Sequence, residues 1–396
     1  MISLKEYIIN ESFDDNLKLS IKDKSKLIEL DKKFLNIMKE YEQEHIHMAS
    51  VVNFKEQINE LITAAKENNY DFKIDLKYEK NKFSDKKYVN NLLEKLNTLN
   101  EEFRTLDCFV SKYYIYRIGK VINQIIFFNE FLTNNNFPKL KFIPSKELYD
   151  KAIEFIIDKK NKFVDKKELA KTDDDFVEKY DAYDAQKRLQ KIIDDNKLEW
   201  NINVVDNMIP RMAVRPYKEF RINKKSKFSE IDLKSLEAHE IGVHVTRLHN
   251  ALQCGLSIFC YGLKGSNIFD EGLAVYNSLQ LSKPKPNIIF YISLKIIILY
   301  NLYKMSPVEL FNFVKSLTNA PDFVISSGIL RASRVYLYSS VNSLSTDADY
   351  LNGYLKVLNM TQKERDDILK YPIGPEQIYE LETIKKFLKI NNFEPI

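Results

Sequence analysis

His239-Glu240-Ile241-Gly242-Val243-His244, followed by Phe269-Asp270-Glu271-Gly272-Leu273-Ala274, is the part of the chain whose reading decides the rest. The chain has five histidines, His45, His47, His239, His244 and His249, and three of them fall in one short segment. Two imidazoles and a downstream carboxylate can fill three corners of a tetrahedral zinc site, and an open fourth corner separates a catalytic zinc from a structural one. A glutamate directly after the first histidine is placed to take a proton from a water at that corner. The pattern implies a zinc-dependent peptidase holding one Zn2+ ion, with His239 and His244 as ligands and Glu240 as the proton acceptor.

The histidines are five apart rather than four, which on a regular helix turns them about 140° away from each other. A π-type bulge brings positions i and i+5 back to nearly the same face, and Gly242, lying between them, would tolerate the distorted backbone. Ser229 with Asp232 three residues later predicts a capping box at the helix start. Leu233, Leu236, Ile241, Val245, Leu248 and Leu252 supply an inward stripe. Glu271 is the preferred third ligand, expected in the first turn of a helix running from Gly272 to Leu281. Asp270 is an adjacent rival, and His249 would need a second bulge.

Composition narrows the class. At 396 residues and 44% hydrophobic the chain can bury a sizeable core. The net charge of +4 is weak for this length and its basic residues are spread out, which argues against nucleic-acid binding. Cys108, Cys254 and Cys260 are too few for a disulfide framework, so a reducing, cytoplasmic location is the simpler reading. Cys254 and Cys260 lie close to the metal helix but are surplus to a complete His-His-Glu set. Met1-Ile2-Ser3-Leu4-Lys5-Glu6 carries no secretory pattern. Ile288 to Tyr303, with Lys295 in its middle, is shorter than the ~20 residues of a membrane span and reads as a buried core helix behind the site.

Two regions are expected. Residues 1–138 read as helical, with Leu27, Leu30, Phe34, Ile37 and Met38 on one stripe and Ile118, Val121, Ile122, Ile125 and Ile126 on another. Asn134-Asn135-Asn136-Phe137-Pro138 breaks the pattern. Residues 139–396 form the catalytic region. It opens with two helices around Asp173-Asp174-Asp175, a run that reads as a solvated face or helix start because the twelve-residue calcium loop is missing. Asn201–Val205, Met212–Arg215 and Phe220–Asn223 read as short strands, with Pro210 and Pro216 as edges. The expected fold is α+β, predominantly α-helical, with a zincin-like metallopeptidase core and a small β-sheet beside the metal-binding helix. An edge of that sheet could hold an extended peptide.

The motifs resemble the microtubule-associated tyrosine carboxypeptidases and their microbial relatives, a family with H-E-x-x-x-H followed by an acid-Glu-Gly-Leu-Ala segment. The resemblance implies His239, His244 and Glu271 as zinc ligands and Glu240 as the catalytic glutamate, with Asp270 in place of a Gln. It extends over Arg221-Ile222, Lys227-Phe228-Ser229, Asp232-Leu233, Arg247, Asn250, Gln253, Gly262-Leu263, Arg334-Val335-Tyr336 and Asp347 to Gly353. Two departures, Leu337-Tyr338 and Ser345-Thr346, stand where the family has Arg-Gly and Thr-Lys. The resemblance further implies a carboxypeptidase acting on a protein or peptide with a free C-terminus, removing a tyrosine or another aromatic residue. Tyr336, Tyr350 and Arg334 are the candidates for stabilising the oxyanion. Arg221, Arg331 and Arg334 are those for the terminal carboxylate, which suits a guanidinium fork. A zinc endopeptidase or dipeptidyl peptidase, and a non-catalytic metal-binding regulator, are the competing readings.

Overall fold

A computed structural model describes residues 17–45, 51–134, 143–158, 162–206, 211–215, 218–338 and 346–396. The expected break at 135–138, together with His47, Pro210, Pro216, Ser345 and the amino terminus, lies outside them.

Four long helices lead the chain: α1 (Ile21–His45), α2 (Phe54–Lys66), α3 (Lys86–Arg104) and α4 (Ser111–Asn134). Leu27, Leu30, Phe34 and Met38 of α1 and Ile118, Val121 and Ile125 of α4 are fully buried, whereas Ile126 turns outward at 41% exposure. Between 143 and 195 come α5 (Lys146–Ile157), the short α6 (Lys166–Ala170), a 3-10 turn at Asp174–Phe176, and α7 (Ala182–Asp195). The acidic run is the start of that turn, Asp173 accepting from the Asp175 amide while its carboxylate also pairs with Lys283.

The sheet is small and mixed. Strands β1 (Asn201–Val205), β2 (Met212–Arg215) and β3 (Glu219–Asn223) lie in the order β1-β3-β2, β3 parallel to β1 and antiparallel to β2. Phe220 and Ile222 of the central strand pack with Trp200 and with Leu189 and Ile193 of α7. This layer lies against the metal helix through Leu233, Ile241 and Val245. β2 is left as the edge.

Ser229 caps the next helix with the expected box, its hydroxyl accepting from the Asp232 amide and the Asp232 carboxylate accepting from Ser229 N. Regular α8 (Glu230–Leu236) passes into a π-helical stretch, Glu237–Val245, then returns to α-geometry in α9 (Thr246–Gln253). After the one-turn α10 (Ser257–Cys260) follow α11 (Ser266–Leu279) and α12 (Ile288–Asn301). The remaining helices are α13 (Pro307–Leu317), α14 (Asp322–Tyr338), α15 (Thr346–Leu358), α16 (Gln362–Lys370) and α17 (Leu381–Asn391). Apolar α12 is buried among α2, α5, α11, α13, α14 and α15, as its sequence predicts. The described residues are thus mainly helical with one small sheet, an α+β fold. Among the described residues, no helix is long and apolar enough to cross a membrane.

The amino-terminal helices do not stand apart. One apolar cluster joins Leu30, Phe34, Phe103 and Ile118 to Val243, Ala251, Leu252 and Phe259 behind the metal helix. A polar pin crosses the same contact: buried Asp31 accepts from the amide and hydroxyl of Ser257, at 2.9 and 2.6 Å, and from the Tyr114 hydroxyl.

Candidate metal centre

The π-helical stretch solves the spacing problem that the sequence poses. With about one extra residue per turn, His239 and His244 point the same way, their ring centroids 5.1 Å apart. The distortion extends over nine residues, Glu237–Val245, and not over a single bulged turn. Gly242 is not its cause. A Cβ there would meet Glu237 O at 3.5 Å and Asn277 Nδ2 at 3.8 Å, ordinary contacts, so the position has room for a small side chain.

Glu271 comes from α11. That helix starts at Ser266, six residues ahead of the predicted start at Gly272, because Gly265 enters it with φ +75° and Ile268 and Phe269 are buried. Glu271 therefore lies in the second turn. What brings α11 close is a glycine crossing: a Cβ on Gly272 would stand 2.3 Å from Gly353 C, and one on Gly353 only 1.8 Å from Ile268 O. With no side chain at that crossing point, α11 and α15 make the most extensive helix contact among the described residues. The same crossing sets Tyr350 of α15 beside Glu271, whose charged form the tyrosine hydroxyl favours.

Glu271 Oε2 lies 3.8 Å from His239 Nε2 and 3.9 Å from His244 Nε2. One ligand atom from each of the three residues falls within 4.8 Å of the others, the one such group of three among the described residues. Donors ~2.0–2.2 Å from a common ion stand at most ~4.4 Å apart, so the set can hold one with small adjustments. Glu271 Oε2 is buried and has no hydrogen-bond partner, which a cation would supply. The backbone of Ala274 lies beside the His239 ring and favours its protonated form, in the place of the outer contact that fixes a ligating imidazole.

Electrostatics point the same way. Burial pushes the His239 imidazolium down to about 4, and burial, with His239 and Arg247 adding to it, holds His244 well below its usual value. Both rings are thus neutral, as ligands must be. Burial and then the Glu271 charge raise Glu240 to about 8, and burial raises Glu271 to about 7 despite Lys295 and the Tyr350 hydroxyl. Two buried carboxyls that resist ionisation, beside two neutral imidazoles, form a donor set that a dication would relieve.

Asp270 is turned to another task. It forms an ion pair with Arg247, a guanidinium 2% exposed whose Nη1 also reaches the Ser266 carbonyl at 3.5 Å. Arg247 follows His244 by one turn, so the pair braces the metal helix against the helix carrying Glu271. His249 is not among the grouped ligands. Cys260 borders the cavity, but burial raises the thiols of Cys254 and Cys260 to about 12.

A cavity of about 360 Å3 opens over the centre, bordered by Met212, Ala213 and Val214 of β2 and by Glu240, Arg247, Asn267 and Tyr350. The arginines expected from the sequence are elsewhere. Arg221 pairs with Glu219 at 2.6 Å, Arg331 grips Asp347 through two nitrogens at 2.9 Å, and Arg334 lies over the Phe54 ring. None of the three borders this cavity. Tyr336 lies on α14, its side chain outside the described residues. Arg247 entered the sequence reading only as part of a motif continuation, although its i+3 spacing from His244 places it on the same helix face.

A comparison with protein families matches residues 144–387 to the family described as microtubule-associated tyrosine carboxypeptidase. The chain belongs to this family. The match spans the sheet, the metal helix, α11 and α15, and leaves α1 to α4 outside it. No curated protein matches the chain. Membership carries a peptidase activity of the tyrosine carboxypeptidase kind.

Proposed function

We propose that the chain is a zinc-dependent carboxypeptidase that removes a C-terminal tyrosine or similar aromatic residue from a protein or peptide. The observation that carries this is the convergence of His239 Nε2, His244 Nε2 and Glu271 Oε2, with Glu240 in the wall of the same cavity. Zinc held by these three residues would supply Lewis acidity, lowering the pKa of a water and polarising a peptide carbonyl.

The chain supplies the rest. Glu240 takes the proton of the attacking water on its carboxylate and returns it to the leaving nitrogen. The Tyr350 hydroxyl, in the wall of the cavity beside Glu271, is a donor available to the carbonyl oxygen as charge develops, and loss of one such donor typically costs ~10²–10³ in rate. The free edge of β2 borders the cavity, so an extended substrate can pair with Met212–Val214 through main-chain hydrogen bonds. The three free thiols suit a reducing compartment such as the cytoplasm.

The test compares a peptide ending in free tyrosine with its amidated twin. Only the free form should be cut, and equal cleavage of both would identify an endopeptidase. Glu240→Gln should still bind one zinc per chain while hydrolysis falls by at least ~10². Retained hydrolysis in that variant would remove Glu240 from the mechanism.

A further inference from the structure

A carboxypeptidase must hold the terminal carboxylate, and the one guanidinium among the described residues that borders the cavity over the metal centre, that of Arg247, is already paired with Asp270. Its Nη1 takes that pair, while its Nε and Nη2 are buried and have no hydrogen-bond partner. A second cavity, about 270 Å3, adjoins the first and shares Gly262 and Asn267 with it. At the small end of ligand cavities, which run from ~300 Å3 upward, it suits one amino acid better than a peptide segment.

Its walls carry both signs of charge. Arg117 and Lys120 enter from α4, Asp349 from α15, and the first turn of α11 completes the wall. Lys264 and Glu376 at the rim neutralise each other at 2.7 Å. Among the described residues, Lys120 makes no hydrogen bond or ion pair; its electrostatic neighbours are Arg117 and Asp349. Burial lowers its ammonium to about 8, the cost of a cation kept without a close partner. Arg117 lies over the Tyr261 ring, and its buried Nε has no acceptor. Asp349, 3% exposed, has an unpartnered buried Oδ1. Unpaired donors share one small cavity with an unpaired carboxyl group that burial keeps from ionising freely, and together they match a zwitterion.

We propose that this cavity receives the residue that the reaction releases, its carboxylate held by Lys120 and Arg117 and its amino group by Asp349. The assignment rests on the carboxypeptidase reading. Hydrolysis breaks the terminal C–N bond, adding the hydroxyl of water to the acyl carbon and its hydrogen to the nitrogen. The amine then takes a proton from solvent and becomes the ammonium that Asp349 accepts. Before the cut, the same cations hold the substrate's terminal carboxylate. Both of these lie on α4, outside the family match, so the amino-terminal region completes the site.

The test is calorimetric titration of the full chain, wild type, Lys120→Met and Asp349→Asn, with three probes, after each variant's thermal transition has shown it folded. L-tyrosine should bind the wild type and lose about tenfold or more with either variant, the usual scale for a hydrogen bond to a charged group. Tyrosinamide, lacking the carboxylate, should bind weakly and be indifferent to Lys120→Met. Hydroxyphenylpropionate, lacking the amine, should be indifferent to Asp349→Asn. Arg117→Gln replaces any variant that does not fold. L-tyrosine binding that is absent in the wild type, or unchanged in the variants, overturns the assignment. Release of terminal tyrosine from a free-carboxylate peptide is measured beside it. A wild type that cuts normally while binding ignores the variants keeps the carboxypeptidase and loses the cavity. If nothing is cut, Lys120-dependent tyrosine binding still supports the cavity, and its absence rejects it.

Discussion

Arg247 shows what a single buried side chain does for the centre. Burial lowers its guanidinium to about 9, a sign that water is missing around it and that its partner matters. Removing one member of a buried ion pair costs about 3–5 kcal/mol, because the other is left uncompensated. Arg247→Ala should therefore destabilise the chain by about 3 kcal/mol in urea unfolding, and zinc affinity should fall ~10–100-fold as the brace to Glu271 is lost. In the Asp270→Ala background the same substitution should cost clearly less, since the two effects do not add. Additive losses would show that Asp270 is no partner. At this scale the grouping of His239, His244 and Glu271 was legible, because their residue types fit one chemistry and only five histidines were available. The brace was not. Spacing puts Arg247 beside His244, but nothing in the order of residues says which acid faces it across another helix.

At the scale of elements, the crossing of α11 and α15 decides where Glu271 stands. Gly272 and Gly353 let two backbones meet where a methyl group would overlap. Gly272→Ala has no rotamer with which to escape, so the helices must separate. Overpacking of this kind typically costs 1–3 kcal/mol. The expected outcome is a lowered thermal midpoint together with loss of zinc stoichiometry, read by metal analysis of the dialysed protein. Gly242→Ala, which meets only ordinary contacts, should keep its zinc and serves as the contrast. A Gly272→Ala protein with full zinc and unchanged stability would show that the contact is not tight. Strand limits and the Ser229 cap were readable because each is a local signal. The start of α11 was not, since a left-handed Gly265 followed by buried Ile268 and Phe269 imitates a loop. The glycine crossing pairs residues 81 positions apart and leaves no local trace.

For the whole molecule, the question is what holds the helical layers against each other behind the site. Two buried carboxylates do much of this. Asp232 gathers Lys166, Lys285 and Arg211, and Asp347 gathers Lys295 of α12 and Arg331 of α14. Burial alone would raise the Asp347 carboxyl, but Lys295 and Arg331 outweigh it and hold it at about 2; the same balance keeps Asp232 well below the usual range. A carboxyl whose pKa falls on folding stabilises the native state above its unfolded value of ~3.9 and loses that contribution as pH drops towards the folded value. For Asp347 the contribution is about 3 kcal/mol, present at neutral pH and fading between about 4 and about 2. Asp347→Asn leaves Lys295 and Arg331 facing no charge, so at pH 7 it should be less stable than the wild type by at least this amount. Denaturant unfolding at pH 7, 4 and 3 should show the gap narrowing as the wild-type carboxyl takes up its proton. A gap that stayed constant down to pH 3 would mean that folding does not lower the Asp347 carboxyl, and that Lys295 and Arg331 do not hold its charge.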